Sequence, residues 1–269
     1  MLTDPCGRNI TYLRISVTDK CNFRCTYCMP EEGIQLKSHA EILRYEQMAN
    51  IVEVGATLGI TKVRLTGGEP LVKRNIEFLV QKVSTTPGIL ETCMTSNGSL
   101  LTIEKARLLK KAGLTRINIS LDTLDRERFA RITRCGEIED VFRGIDAALD
   151  ANLKPVKINM LIFEDTSIRE IEAMRDFCSR KGTILQTIQR FSLQDKKSSG
   201  SFSTDRPPQC RCCNRIRLTA DGFLKPCLFS DHEIRVDFQD IEGSLRAAVR
   251  GKPVAGETCK ERPMSQIGG

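Results

Sequence analysis

The chain has 269 residues, 40% of them hydrophobic, which is enough for a sizeable core in one large domain or two small ones. No apolar run approaches the roughly 20 residues that cross a bilayer, and the N-terminus lacks the apolar centre of a signal peptide, so we expect a cytoplasmic protein. The net charge of +7 favours an anionic partner, but aromatic residues make up only 5% and Trp is absent, which argues against a base-stacking surface for nucleic acid.

Segments with strand character alternate along the chain with segments of helical periodicity. Strands are predicted over 12–17, 62–66, 90–95, 116–121, 156–162 and 183–188. Helices are predicted over 42–58, 75–83, 103–111, 137–151 and 168–181. This alternation is typical of parallel β–α–β units. We therefore predict an α/β fold, a partial (β/α)6 TIM-type barrel with a C-terminal cluster-binding extension.

Three cysteines follow the first predicted strand at spacings of four and three residues. They are Cys21, Cys25 and Cys28, in the segment CNFRCTYC, and we call them the first triad. A cuboidal iron–sulfur cluster normally takes four Cys ligands, so three close thiolates leave one iron open for another ligand. Zinc is the rival interpretation, although zinc sites usually contain two C-x2-C pairs. The spacing favours a cluster with an open iron.

Polar motifs also follow the other predicted strands. Residues 67–70 read GGEP after the second strand, residues 95–98 read TSNG after the third, and residues 120–122 read SLD at the end of the fourth. Each motif alone is compatible with an ordinary turn. Because active sites of barrels lie at the carboxyl ends of the strands, the motifs together predict one site at that edge.

A second cysteine group follows a polar segment. Residues 195–208 read DKKSSGSFSTDRPP, a composition typical of a linker or mobile loop. Beyond it lie Cys210, Cys213 and Cys227, the second triad, with a predicted hairpin over 214–223. Its spacing leaves zinc open, and Cys212 is either a ligand in place of one of its neighbours or an idle thiol. We divide the chain into a barrel over 1–191, a linker over 192–209 and a cluster-binding region over 210–269 that ends in two glycines.

The remaining cysteines and the two histidines lie apart from both triads. Isolated free cysteines are more often small buried hydrophobes than ligands. We expect that role for Cys6, Cys93, Cys135, Cys178 and Cys259. His39 and His232 are expected to have structural or surface roles.

These motifs together resemble a known family, the radical S-adenosylmethionine (SAM) GTP 3′,8-cyclases of molybdenum cofactor biosynthesis, in a shortened form. The resemblance rests on LRISVTDKCNFRCTYCMP, RLTGGEPL, TSNG, INISLD, the segment CNRIRLTADG and the terminal Gly268-Gly269. It extends over about 8–189 and again over 210–269. The first triad alone would indicate only the wider superfamily, whereas the second triad with its Arg-x-Arg and the glycine pair make the match specific.

The resemblance implies two 4Fe–4S clusters and SAM as cofactors. The first triad would hold the SAM-binding cluster, and the second triad would hold a cluster whose open iron binds the guanine of GTP. The residues implied to contact SAM are Tyr27, Gly68, Ser120 and Phe191. The residues implied to contact GTP are Arg14, Arg64, Thr95, Lys157, Arg215 and Arg217, of which the last two are also implied to be catalytic with Cys21, Cys25 and Cys28.

The chemistry implied by the resemblance begins with an electron that cleaves SAM to the 5′-deoxyadenosyl radical. The radical would take the C3′ hydrogen of the ribose, and attack on guanine C8 would give (8S)-3′,8-cyclo-7,8-dihydroguanosine 5′-triphosphate. Arginine forks match phosphate oxygens two at a time, and Arg215 and Arg217 share one side of a strand. The implied partners are GTP, a reducing electron donor and the cyclic pyranopterin monophosphate synthase that takes the product. Neither nucleic acid nor a membrane is expected as a partner, and a homodimer is compatible with the resemblance.

The sequence also departs from the family. The segment between the sixth strand and the second triad is much shorter, Gln186 stands where many members carry a substrate-facing Arg, and Gln209 stands where Phe is common. Two alternatives therefore stay open. One is a radical SAM paralogue with an auxiliary cluster that acts on another nucleotide or on a peptide, and the other is a zinc-binding structural or nucleic-acid-binding protein.

Overall fold

A computed structural model describes residues 1–190, 193 and 210–268. Six parallel strands follow one another in sequence: β1 (Tyr12–Ser16), β2 (Lys62–Thr66), β3 (Glu91–Ser96), β4 (Arg116–Ser120), β5 (Lys157–Ile162) and β6 (Ile184–Gln189). Three more strands come from the C-terminal part: β7 (Arg215–Leu218), β8 (Phe223–Lys225) and β9 (Ile234–Arg235). The sheet has the order β6-β5-β4-β3-β2-β1-β7-β8-β9, so it is open between β6 and β9. The predicted α/β partial barrel is confirmed.

Helices connect the parallel strands and cover one side of the sheet: α1 (Tyr45–Thr57), α2 (Ile76–Ser84), α3 (Ile103–Lys111), α4 (Arg126–Thr133), α5 (Ile138–Asp150) and α6 (Ile168–Lys181). Two more helices follow β9, α7 (Ile241–Arg250) and α8 (Met264–Ile267). The bounds of α3 and α6 agree with the sequence prediction because both helices carry clear end signals. Thr102 and Ser167 accept backbone N–H groups at their N-termini, and Gly182 ends α6 at φ +68°. The sequence analysis predicted none of α4, α7 and α8.

The two faces of the sheet differ in polarity. Alternate strand residues such as Leu13, Val63 and Ile117 pack with helix residues in the main hydrophobic core. The intervening residues form the other face, which we call the inner face and which is rich in basic side chains. By strand register, its basic residues include Arg14, Lys62, Arg64, Arg116, Lys157, Arg215 and Arg217. Within the described strands, Glu91 is the one acidic residue of this face, and it pairs with Lys62 and Arg116.

Strand β7 joins the C-terminal part to the barrel. It runs parallel to β1, with Arg215 opposite Tyr12 and Arg217 opposite Arg14. β8 then returns antiparallel to β7, which confirms the predicted hairpin. The division of the chain at residues 192–209 lies, apart from residue 193, outside the described residues. In the part of the chain that the structure describes, no helix combines the length and the apolar character needed to span a membrane.

Candidate active site

A cavity of about 220 Å³ lies at the carboxyl ends of the parallel strands. The polar motifs that follow β1, β2, β3 and β4 all contribute to its walls, as predicted. Of the residues singled out in the sequence, the following line it: Cys21, Cys25, Tyr27, Cys28, Gly68, Thr95 and Ser120. Met264 of α8 lines it as well, so the C-terminal segment also reaches the cavity.

The GGEP motif connects the loops after β1, β2 and β3. The N–H of Gly68 donates to the Thr18 carbonyl at 2.7 Å, and the N–H of Glu69 donates to the Lys20 carbonyl at 2.8 Å. A Cβ on Gly68 would lie 2.2 Å from the Lys20 oxygen, so only glycine allows this approach. The Glu69 carboxylate accepts from Ser96 Oγ at 2.8 Å and from the Asn97 N–H at 2.6 Å. The motif therefore fixes the backbone that leads into Cys21.

The Glu69 carboxyl is buried at 1% exposure. Burial raises its pKa to about 7, although three hydrogen-bond donors partly offset the shift. A carboxylate with this pKa near a cavity can accept a hydrogen bond from a cationic ligand group.

Asp122 connects the first triad's loop to the loops after β4 and β5. It accepts from Tyr27 Oη at 3.1 Å and from the Leu161 N–H at 2.9 Å. Burial raises the pKa of Asp122 to about 6. Helix α4 supports the same loop, because the Ile132 and Thr133 carbonyls accept the N–H groups of Thr26 and Arg24, the two residues on either side of the second cysteine of the triad.

Arg134, directly after α4, adds a side-chain contact to this support. Its Nη1 donates to the carbonyls of Arg24 and Met29 at 2.9 and 3.0 Å. Arg134 has φ +64°, an unusual conformation for a residue with a side chain. The loop of the first triad is thus held on several sides by the barrel.

The three thiols of the first triad are partly buried and face one cavity. Burial raises the pKa of Cys21 to about 11 and that of Cys28 to about 12, and it raises the pKa of Cys25 still further. Within residues 1–190, 193 and 210–268, no three His, Cys, Asp or Glu side chains converge to hold a single metal ion. An iron–sulfur cluster instead takes one thiolate at each ligated iron, so its ligands surround a volume, and three thiols around a cavity fit that donor pattern.

The second triad lies at the opposite end of β1 and β7. Cys213 precedes β7, whose first residue pairs with the first residue of β1, and the β7–β8 hairpin returns Cys227 to the same end. The loop that follows α7 approaches closely, since a Cβ on Gly256 would lie 2.5 Å from Cys227 Sγ. Burial raises the pKa of Cys213, but the charges of Lys252 and Arg215 outweigh burial and lower it overall. These surroundings favour a thiolate, the form that binds iron.

Three arginines lie side by side on the inner face between the two triads. Arg14 is in register with Arg64 on β2 and with Arg217 on β7, and all three are at most 6% exposed. Burial lowers the pKa of Arg217 to about 10, with a further contribution from Arg215. Burial also lowers the pKa of Arg14, and the neighbouring arginines lower it further. Adjacent buried cations of this kind form a site for an anion.

Arg64 is held by polar residues of the inner face. Its Nε donates to Tyr12 Oη at 2.6 Å, and its Nη1 donates to Thr95 Oγ1 and Asn118 Oδ1 at 3.0 Å each. Among the residues that the structure describes, its buried Nη2 has no hydrogen-bond partner, so this guanidinium retains a donor for a ligand. Burial acts to raise the pKa of Tyr12, but the charges of Arg14 and Arg64 prevail and lower it to about 8.

The end of the chain enters the barrel next to these arginines. Arg217 Nη1 donates to the Gly268 carbonyl. Gly268 has φ +72°, and a Cβ there would lie 2.1 Å from Thr66 Oγ1, so glycine is required at this position. Ile267 is buried with Leu193, Phe229 and Cys259 in a second apolar cluster that fixes the approach of the tail.

The remaining predicted residues lie as follows. Lys157 and Arg215 are partly buried on the inner face, whereas Phe191 and Gly269 are outside the described residues. The isolated Cys93, Cys178 and Cys259 are buried as predicted, but Cys6 and Cys135 are exposed, so that prediction is wrong for these two. Sequence reasoning gave no role to Glu69, Asp122, Tyr12 or Asn118, although Glu69, Asn118 and Asp122 belong to motifs that it quoted.

Comparisons with known proteins agree with this geometry. The family model of the Radical SAM superfamily matches residues 15–178. A GTP 3′,8-cyclase of Thermodesulfovibrio yellowstonii and one of Moorella thermoacetica are each 40% identical to this chain, with all of both chains covered. The first alignment extends over 323 positions, so at least 54 of them have no residue in this chain of 269.

Among solved structures, the Streptococcus suis protein SuiB bound to its precursor peptide SuiA superimposes with a TM-score of 0.70. It is 16% identical to this chain, and the match covers 91% of this chain and 66% of SuiB. At that identity the likeness shows the fold.

Proposed function

Because this chain belongs to the Radical SAM superfamily and, within it, to the GTP 3′,8-cyclase family, we propose that it converts GTP to (8S)-3′,8-cyclo-7,8-dihydroguanosine 5′-triphosphate, the first step of molybdenum cofactor biosynthesis. The relatives carry this activity in their names, and they match the chain over its whole length. The geometry of the inner face supports the same assignment independently.

The observation that carries the proposal is the row of buried arginines between the two triads. The first triad follows the carboxyl end of β1, and the second triad precedes the start of β7, its parallel neighbour. Since β1 has five residues at about 3.3 Å each, the strands that separate the two sites are roughly 17 Å long. Arg14 and Arg217 lie in this interval and face the interior. A nucleoside triphosphate is long enough to extend between the two sites, and its phosphates would meet these guanidinium groups.

The residues present fit two 4Fe–4S clusters. Cys21, Cys25 and Cys28 would hold one, and Cys210, Cys213 and Cys227 would hold the other. When bound, the first cluster and SAM would supply the 5′-deoxyadenosyl radical that takes the ribose C3′ hydrogen. We propose that Tyr27, Gly68, Ser120 and Phe191 contact SAM.

The chain's own residues bind and orient the nucleotide. We propose that Arg14, Arg64, Thr95, Lys157, Arg215 and Arg217 contact GTP. Tyr12 and Asn118 hold the Arg64 guanidinium, so its unpaired Nη2 is aimed before the ligand arrives. The C-terminal tail covers part of the interior, since the Gly268 carbonyl accepts from Arg217 and Met264 lines the cavity. A covered interior excludes water from the radical reaction.

A second candidate substrate is another nucleotide. Gln186 is 5% exposed on the inner face, and its buried Oε1 has no hydrogen-bond partner within residues 1–190, 193 and 210–268. This acceptor would contact a donor group of a substrate, where the resemblance leads one to expect an Arg. Assays with ATP and other nucleoside triphosphates distinguish the two candidates.

The setting of the reaction is also part of the proposal. Reduced clusters and many free thiols suit the cytoplasm, where thiols stay reduced. A low-potential electron donor would supply the reducing electron, and a cyclic pyranopterin monophosphate synthase would take the product.

The deciding experiment is anaerobic incubation with SAM, reductant and GTP, followed by mass analysis. We expect 5′-deoxyadenosine together with an isomer of GTP that has the same mass and a new ring. The variant Cys21→Ala/Cys25→Ala/Cys28→Ala should form neither compound. Arg217→Met should bind GTP at least tenfold more weakly while retaining slow, uncoupled SAM cleavage, since it loses a charged phosphate contact. Formation of 5′-deoxyadenosine without any cyclised GTP, but with a modified second nucleotide or peptide, would refute the assignment of GTP as substrate.

A further inference from the structure

Two buried basic residues connect the three chain segments that carry the second triad. These residues are Lys252, just after α7, and Arg8, near the N-terminus, and they are 5% and 7% exposed. Neither belongs to the strands of the barrel, and neither lines the cavity described above. Their hydrogen bonds converge on the backbone beside the three cysteines.

Lys252 joins the two segments of the β7–β8 hairpin. Its Nζ donates to the Arg215 carbonyl at 2.6 Å and to the Pro226 carbonyl at 2.7 Å. Arg215 lies two residues after Cys213, and Pro226 directly precedes Cys227. A single ammonium thus sets the separation between the backbones that carry two of the three thiols.

Arg8 connects the backbone of the third cysteine, Cys210, to the segment that carries Lys252. Its Nη1 donates to the Cys210 carbonyl at 2.6 Å, and its Nη2 donates to the Pro253 carbonyl at 2.6 Å. An ion pair with Asp4 holds the guanidinium in position. Pro253 directly follows Lys252 in the chain. The two basic side chains therefore hold the backbone beside all three cysteines against the short segment 252–253.

We propose that Lys252 is the positioning residue of the second triad, holding its thiolates in the arrangement that a 4Fe–4S cluster needs and supplying a positive charge beside it. This inference rests on the second cluster of the proposed function. Buried hydrogen-bonded ammonium groups are costly unless their charge is compensated, and an anionic thiolate cluster provides that compensation.

The hydrogen bonds of Lys252 place its charge close to both cysteines of the hairpin. The Pro226 carbonyl, 2.7 Å from Nζ, belongs to the peptide bond that joins Pro226 to Cys227, and the Arg215 carbonyl, 2.6 Å from Nζ, lies two residues after Cys213. A positive charge near an iron–sulfur cluster favours its reduced form, since reduction adds negative charge. Loss of the charge should therefore make the reduction potential of the second cluster more negative, an effect that a purely packing role would not produce.

The test uses the full-length protein with Cys21→Ala/Cys25→Ala/Cys28→Ala, so that only the second cluster can form. In this background, Lys252→Met removes the charge and the donors at similar volume, and Lys252→Arg keeps both. Lys105→Met, on helix α3 of the outer layer, is the matched control. The readouts are iron per chain after anaerobic reconstitution and the midpoint potential from a redox titration followed by electron paramagnetic resonance.

We expect about four irons in the background protein, as one cubane requires. Lys252→Met should lower the equilibrium constant for one-electron reduction at least tenfold, a shift of about 59 mV to more negative potential. Lys252→Arg should keep four irons and recover most of that shift, and Lys105→Met should match the background protein. If Lys252→Met fails to take up iron, retention of the cluster by Lys252→Arg supports the proposal.

Two results would overturn it. One is a full cluster with unchanged potential in Lys252→Met, and the other is loss of iron in Lys252→Arg as well, because a cation at this position would then not suffice. Absence of iron from the background protein itself is a different outcome, since it would refute the second cluster of the proposed function rather than the role of Lys252.

Discussion

Replacement of Gly68 by Ala should disturb the loop of the first triad through one atom. The added Cβ would lie 2.2 Å from the Lys20 carbonyl oxygen and 2.8 Å from the Asp19 carbonyl oxygen. Both are backbone atoms, so no side-chain rotation relieves the contact. Lys20 directly precedes Cys21. If the two backbone segments moved apart to relieve the contact, the hydrogen bonds from Gly68 N–H to the Thr18 carbonyl and from Glu69 N–H to the Lys20 carbonyl would lengthen.

The magnitude follows from those two hydrogen bonds. Each contributes about 1 kcal/mol, so the variant should lose about 2 kcal/mol of unfolding free energy. In a chain of this size that loss corresponds to a fall in melting temperature of roughly 4–8 °C. Because the displaced backbone leads into Cys21, we also expect SAM affinity to fall at least tenfold.

Gly182→Ala is the matched control. Gly182 has φ +68° with no atom within 4 Å of an added Cβ, and it ends α6 at the edge of the barrel away from the cavity. Alanine there costs about 1–2 kcal/mol for the left-handed conformation, a comparable loss without any contact to the site. Thermal unfolding of the metal-free protein and anaerobic calorimetry with SAM give both quantities. Equal SAM affinity in the two alanine variants would refute the proposed steric link to the cluster loop.

Three further predictions test other parts of the site. Burial raises the pKa of Asp122 to about 6, so the folded state keeps a proton that the unfolded state releases, and stability should fall as pH rises from about 4 to 6. In urea unfolding of the metal-free proteins, the free energy of unfolding of the wild type should fall over this window by roughly 3 kcal/mol relative to that of Asp122→Asn. An equal dependence of the unfolding free energy on pH in the two proteins would contradict the assignment. Gly268→Ala introduces a Cβ 2.1 Å from Thr66 Oγ1, so turnover should fall at least tenfold with iron content unchanged, and Thr66→Ala in the same chain should restore part of it. Arg134→Gly relieves a φ of +64° but removes two hydrogen bonds to the loop of the first triad. The unfolding free energy should therefore be nearly unchanged, while iron should pass to a chelator several-fold faster than from the wild type. Equal rates of iron release would show that Arg134 does not support the loop.

The barrel was predictable because its strands and helices are marked by local patterns. The six parallel strands were predicted to within one residue at each end, and the predicted bounds of α3 and α6 are those of the structure, where Thr102 begins α3 and Gly182 ends α6. The place of β7 was not predictable in this way. Its four residues pair with β1 across some 200 positions of sequence, and no local signal specifies which strand a distant segment will pair with.

The composition of the site was predictable to the extent that it depends on strand ends. Motifs at the carboxyl ends of parallel strands must meet, and the first triad, Gly68, Thr95 and Ser120 do line one cavity. The contacts that support the site could not be predicted from the sequence, because they join segments that are distant in the chain through single atoms. Lys252 carries no motif of its own, and its importance becomes visible only when its Nζ is found between the Arg215 and Pro226 carbonyls.

The row of inner-face arginines works against folding in the absence of a ligand. Arg14, Arg64 and Arg217 are buried in register on three neighbouring strands, and buried like charges repel one another. A hydrophobic trio at these positions would give a more stable barrel, as replacements of buried ions often do. Strain of this kind persists at functional sites, where a ligand relieves it. A triphosphate bound between the two cysteine triads would neutralise the row, so relief of the repulsion among these arginines would add to the binding free energy of an anionic substrate.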